Sequence, residues 1–190
     1  MKNPFTLSKY LNLFTKRRSV SYTNYAGPGP GSVASSQPTL VGEYSWINTN
    51  NVFALDGTYA SVTVTRDDVI VEDLYVSGFN FNIDPAKTIT GITAVVHKKA
   101  ITNTTVSSDW EVKLWDAGVK VGNDLRDYGN EWPAAGVIIT YGGPTEMWGY
   151  AWTPEKVNHP GFGISISAHV AIEFATAQVD YITLEVHHSG

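Results

Sequence analysis

Residues 164–174 limit the fold more than any other stretch of this chain. Ile164, Ile166, Ala168, Val170, Ile172 and Phe174 alternate with Ser165, Ser167, His169, Ala171 and Glu173. A two-residue period gathers the apolar set on one face of an extended strand, whereas a helix would scatter it. A strand that is apolar on one side needs a second layer to cover that side. The period returns in Ile182, Leu184 and Val186 against Tyr181, Thr183 and Glu185, and in Trp110, Val112 and Leu114 against Glu111 and Lys113. Ile92, Ala94 and Val96 alternate with Thr93, Val95 and His97, a pattern that suits cover on both faces. Further strands are expected at 60–65, 74–82 and 137–141.

Turn residues punctuate these runs: Asp56-Gly57, Asp84-Pro85, Asp116-Ala117-Gly118, Gly142-Gly143-Pro144 and His159-Pro160-Gly161. Short strands between such turns, with no long helical period, predict an all-β fold, an antiparallel β-sandwich of jelly-roll type over residues 43–190. Gly91 is expected to mark a bulge, and Trp46, Trp148 and Trp152 to seal an end of the sandwich. Thr153 followed by Pro154 predicts one capped helical turn at 153–157.

Residues 1–42 read differently, as an extended N-terminal arm. Leu7, Tyr10, Leu11 and Phe14 would share one face of a short helix, which could persist only against a partner surface. The run Ala26-Gly27-Pro28-Gly29-Pro30-Gly31-Ser32 gives 19–42 the composition of a linker. The arm carries five basic residues and no acid, while the remainder carries a net charge of −10. That asymmetry makes Leu7, Leu11, Phe14, Lys16, Arg17 and Arg18 candidate partner-binding residues.

Several classes of function lose support here. With no cysteine there is neither a disulfide nor a thiolate metal site. No stretch has the 18 or so consecutive apolar residues of a membrane helix, and residues 1–14 lack the apolar centre of a secretory signal. The acidic body argues against nucleic acid as a partner. The five histidines show no zinc-helix spacing, no Gly-x-Ser-x-Gly elbow is present, and the carboxylates form no distinctive pair, so no catalytic or metal site is expected. Oxygen ligands for a structural calcium exist in Asp56, Asp67, Asp68 and the Asn123-Asp124 turn, without EF-hand spacing. No cofactor is expected.

The order and spacing of several elements resemble a known family. These are Trp46-Ile47-Asn48-Thr49-Asn50-Asn51, Leu55-Asp56-Gly57-Thr58-Tyr59-Ala60, Leu74-Tyr75-Val76-Ser77-Gly78-Phe79-Asn80-Phe81, and Ile89-Thr90-Gly91-Ile92. Tyr141-Gly142-Gly143, Met147-Trp148-Gly149, Trp152-Thr153-Pro154, Gly161-Phe162-Gly163-Ile164 and Val179-Asp180-Tyr181-Ile182 follow. The series, over roughly residues 44–188, resembles β-sandwich domains of tailed-bacteriophage virion structural proteins. The resemblance implies a non-enzymatic capsid decoration, head fibre, collar or tail component, located on the virion. Such a protein would be a homo-oligomer held to other virion proteins by the arm. The alternative is a carbohydrate-binding module for host-surface glycans. For it, Trp148, Tyr150 and Trp152 would share one exposed strand face.

Overall fold

A computed structural model describes residues 24–38, 44–101 and 107–190. Two antiparallel sheets face each other. The first runs β1 (Asn24–Pro30), β11 (Thr176–Ser189), β6 (Thr88–Ile101), β9 (Val137–Gly142), with β3 (Ala60–Thr63) also on β11. The second runs β2 (Val33–Gln37), β5 (Asp73–Ser77), β10 (Gly163–Val170), β7 (Ser107–Asp116), β8 (Val119–Val121), with β4 (Val69–Ile70) also on β10. The fold is the expected β-sandwich.

The alternating residues behave as their period demands. Ile92, Ala94 and Val96 of β6 lie opposite Val186, Leu184 and Ile182 of β11, and all six are fully buried. Across the sandwich they meet Leu74, Val76, Val112, Leu114, Ile164 and Ile166. Each of these valine, leucine and isoleucine side chains contributes about 1.5–3 kcal/mol by leaving water. Trp46, Trp148 and Trp152 are buried with this cluster. The helix α1 (Pro154–Asn158) begins as expected, with the Thr153 hydroxyl accepting from Lys156 N–H and Pro154 in the first turn.

Three expectations need correction. The segment with linker composition is not a linker throughout, because β1 and β2 lie inside it as edge strands of the two sheets. An edge strand needs its N–H groups on one side only, so proline is tolerated there. The register of β1 shifts between Ala26 and Gly29, and Gly27 takes φ 99° at the shift. Second, β10 stops at Val170, although the sequence alternation runs on to Phe174. The chain turns there toward β11 in the other sheet, leaving Phe174 at φ 59° and exposed. Third, the expected strand at 74–82 is shorter: β5 ends at Ser77.

Gly91 does sit beside a bulge. His187 pairs with Gly91 and His188 with Ile89, so Thr90 is the extra residue. The glycine itself is required by packing, since a Cβ there would lie 2.3 Å from the Gly143 carbonyl oxygen.

Candidate functional site

A second bulge builds the site. On β10, Ser167 pairs with Glu111 of β7, while the next residue, Ala168, pairs with Asp109. Trp110 is therefore the extra residue, and its ring leaves the apolar face to stand outside the second sheet, 39% exposed. Its neighbour Asp109 points inward and is buried.

Two side chains flank the Trp110 ring, His169 and Arg126. The His169 ring lies 6.3 Å from it, centre to centre, and His169 Nε2 meets Asp68 Oδ1 at 2.8 Å. The Arg126 guanidinium lies 5.6 Å from the Trp110 ring and 5.1 Å from the Tyr128 ring, so one cation serves both aromatic faces. Arg126 also donates to the Trp110 carbonyl at 2.5 Å. Tyr128 is 81% exposed. Trp110, Tyr128, His169, Ser108, Asp109 and Gly129 line a cleft of about 310 Å³.

The cleft has a rigid foundation. Asp124 accepts from the backbone N–H of Val112 and of Arg126, which ties the 124–126 segment to β7. Asp109 accepts from the Asp127 N–H, from Trp132 Nε1, from the Tyr141 hydroxyl and from Lys98 Nζ. The loop that carries Tyr128 is thus anchored in the core, with the rings outside. Burial pushes the Lys98 ammonium below the usual lysine range, against the pull of Asp109. Burial, then the negative charge of Asp109, pushes the Tyr141 hydroxyl far above the usual phenol range.

Further along β10 the outer face is polar. It carries Ser165 and Ser167, and both are buried. The Tyr75 and Trp115 rings meet at 4.5 Å beside Ser165, which accepts from Trp115 Nε1. Lys120 on β8 pairs with Glu111 and reaches Asp73 on β5 at 2.6 Å. Three strand spacings of about 4.8 Å separate β8 from β5. Asp73 and Ser167 are buried side by side there. Trp115 pairs with Gly163, while Trp110 lies beside the Ser167–Ala168 step. The two tryptophans therefore stand roughly 15 Å apart along the strand, at about 3.3 Å per residue.

Burial raises the Asp73 carboxyl above its ordinary range; Lys120 opposes this, and Glu111 adds to it. Burial alone would lower Lys120, but hydrogen bonds to Asp73 and Glu111 outweigh it and hold the ammonium above the lysine range. The asymmetry follows from exposure, since the Asp73 side chain is 2% exposed and that of Lys120 28%.

The aromatic residues singled out from the sequence lie elsewhere, and the expectation of one exposed face is corrected. Residues 148–152 form a turn and an irregular segment, with Trp148 at φ 55°, so their alternate spacing sets up no common strand face. Trp148 is fully buried and donates from Nε1 to the Ile92 carbonyl. Trp152 is buried edge-on against Phe162 at 5.1 Å. Tyr150 is half-buried, with its hydroxyl on Asp116 and Lys156 over its ring. The arm residues Leu7, Leu11, Phe14, Lys16, Arg17 and Arg18 lie outside the described residues. Of the candidate calcium ligands, Asp56 binds Thr58, Asp68 binds His169, and Asp124 binds backbone. Among the described residues, no group of three or more histidine or acidic side chains could hold a metal ion.

Trp110, Arg126 and Tyr128 were not identifiable as a site from the sequence. The period of β7 assigned Trp110 to the buried face, and only the bulge reverses that assignment. Nothing in the sequence announces the bulge.

No protein-family model matches the chain, and no curated protein matches it. Solved structures of similar shape include a family 4 carbohydrate-binding module, at 11% identity and TM-score 0.41, covering 80% of this chain and 92% of that one. Another is the N-terminal cellulose-binding domain of Cellulomonas fimi β-1,4-glucanase C, at 14% identity and TM-score 0.41, covering 84% and 95%. A third is the enzymatically active domain of bacteriophage CBA120 tailspike protein 4, at 12% identity and TM-score 0.39, covering 80% of this chain and 19% of that one. At these values the likeness is one of general architecture.

Proposed function

We propose that this protein is a non-catalytic carbohydrate-binding β-sandwich whose ligand lies on the outer face of the second sheet, seated on Trp110. One observation carries the reading: Trp110 and Tyr128 hold exposed rings around a shared Arg126 at the mouth of a cleft walled by His169. A sugar ring offers an apolar C–H face to an aromatic ring and a rim of hydroxyls to polar groups. An aromatic wall with a few fixed polar groups suits both demands. Arg126 and His169 supply donors, and Asp68 an acceptor. A glycan-array screen tests the reading. The expected result is a set of bound glycans that Trp110→Ala loses; an empty array, or an unchanged pattern for the variant, contradicts it.

A second reading concerns where such a module is displayed. The five basic charges of residues 1–42, against −10 in the remainder, favour an arm that docks on an acidic protein surface, as on a phage particle. β1 begins at Asn24, beside His188 near the end of β11, so a tether made of residues 1–23 would leave from one sheet edge. Glycan binding and display on a virion are compatible. A chain lacking residues 1–23 that still joined the particle would rule the tether out.

A further inference from the structure

Beneath the cleft, the core holds a buried polar assembly built on Lys98 and Asp109. Lys98 on β6 and Asp109 on β7 belong to opposite sheets and point at each other, Nζ to Oδ1 2.5 Å, with side chains 2% and 0% exposed. The Tyr141 hydroxyl touches both partners, accepting from Lys98 Nζ at 2.6 Å and donating to Asp109 Oδ2 at 2.7 Å. Trp132 Nε1 donates to Oδ1 at 2.8 Å, and the Asp127 N–H to Oδ2 at 2.9 Å. The amine thus faces the carboxyl group, each carboxyl oxygen has its own donor, and a hydroxyl bridges the two reactants.

We propose that Lys98 and Asp109 join as an intramolecular amide, a covalent staple between the two sheets of a chain that has no cysteine. A proton first leaves the ammonium for the carboxylate, through Tyr141. The neutral amine then attacks Cγ, forming the C–N bond, and the C=O electron pair moves onto Oδ1, where the Trp132 N–H donates to the oxyanion until the pair returns to re-form C=O. A second proton follows the Tyr141 path to Oδ2. The Cγ–Oδ2 bond breaks, and Oδ2 leaves as water with both protons. The nitrogen begins with three protons and ends with one. The ammonium and the carboxylate cancel in charge, so no oxidant, reductant or outside reagent is needed.

Three physical factors favour the step. The fold fixes the reactants in contact, which replaces a bimolecular encounter with an intramolecular one. Burial lowers the Lys98 ammonium toward the neutral amine, and it keeps Tyr141 protonated as a relay. The product is a neutral amide, which removes the cost of holding two charges out of water. Its carbonyl oxygen keeps the Trp132 donor.

Intact mass spectrometry of the purified protein under denaturing conditions tests this directly. The expected mass is about 18 Da, one water, below that of the sequence. Tandem fragmentation should place the loss between Lys98 and Asp109, and Lys98→Arg should restore the full mass whether or not that variant folds. A wild-type protein at full mass overturns the proposal, as does a loss that maps elsewhere, for example to a succinimide at Asp56-Gly57.

Discussion

The Trp110 and His169 rings face each other 6.3 Å apart on neighbouring strands, although the period of β7 alone would have put Trp110 in the core. A single extra residue in β7 makes the difference. Arg126 then holds the open side of Trp110. Arg126→Ala removes the cation shared by two rings but no buried group. Glycan affinity should fall several-fold, while stability should change by no more than about 0.5 kcal/mol, as for other surface changes. Titration and urea denaturation of the same variant check both halves.

Trp148 should behave in the opposite way. It is buried in the core and bonded to the Ile92 carbonyl. Trp148→Ala should cost about 3–5 kcal/mol in urea denaturation, the usual range for removing a large core aromatic. Under conditions where the variant is folded, its glycan affinity should match that of the wild type.

Asp73 should give stability a pH dependence of known sign. Its carboxyl is raised by burial, so the folded state holds the proton at pH values where the unfolded chain, near 3.8, has lost it. The contribution of this group to stability therefore declines as pH rises from about 3.8 through the raised value, and is level above that. Asp73→Asn removes the decline and leaves Lys120 paired with Glu111. Relative to the wild type, the variant should gain stability between pH 4 and pH 7 in urea titrations. A relative loss over that interval contradicts the assignment.

The boundary of the folded body can be tested by truncation. Removing residues 1–23 leaves β1 intact on β11 and should leave the melting temperature unchanged. Removing residues 1–31 strips β1 away and opens the β11 edge between residues 183 and 188. An uncovered edge strand invites pairing with other chains. That second protein should melt lower and aggregate. Equal behaviour of the two truncations would show that β1 contributes nothing.

The sandwich was legible because its evidence is local and repeated. Ile164, Ile166, Ile182 and Leu184 announce their faces by spacing alone, and Thr153-Pro154 announces a helix start. The proposed binding face was not legible, because it depends on departures from the period. Trp110 is displaced by a bulge, Tyr128 sits in a turn with no period, and Arg126 meets both only in three dimensions. Trp148, Tyr150 and Trp152 misled for the converse reason. Their alternation looked like a strand, but Trp148 adopts a positive φ and the chain there never extends. The polar pair Lys98 and Asp109 was hidden as well. In sequence, Lys98 follows the alternating run of β6 as an ordinary charged residue, and only the opposite sheet supplies its partner.

The central claim is that a glycan sits on Trp110, and the six tryptophans provide the most direct test. Each indole N–H gives its own signal in a nitrogen–proton NMR spectrum. Those of Trp46, Trp132 and Trp148 are held by core hydrogen bonds to Glu72, Asp109 and Ile92. On titration with an array-selected oligosaccharide, the Trp110 signal should move most, and these three should stay in place. A bound oligosaccharide that leaves the Trp110 signal unmoved would contradict the account.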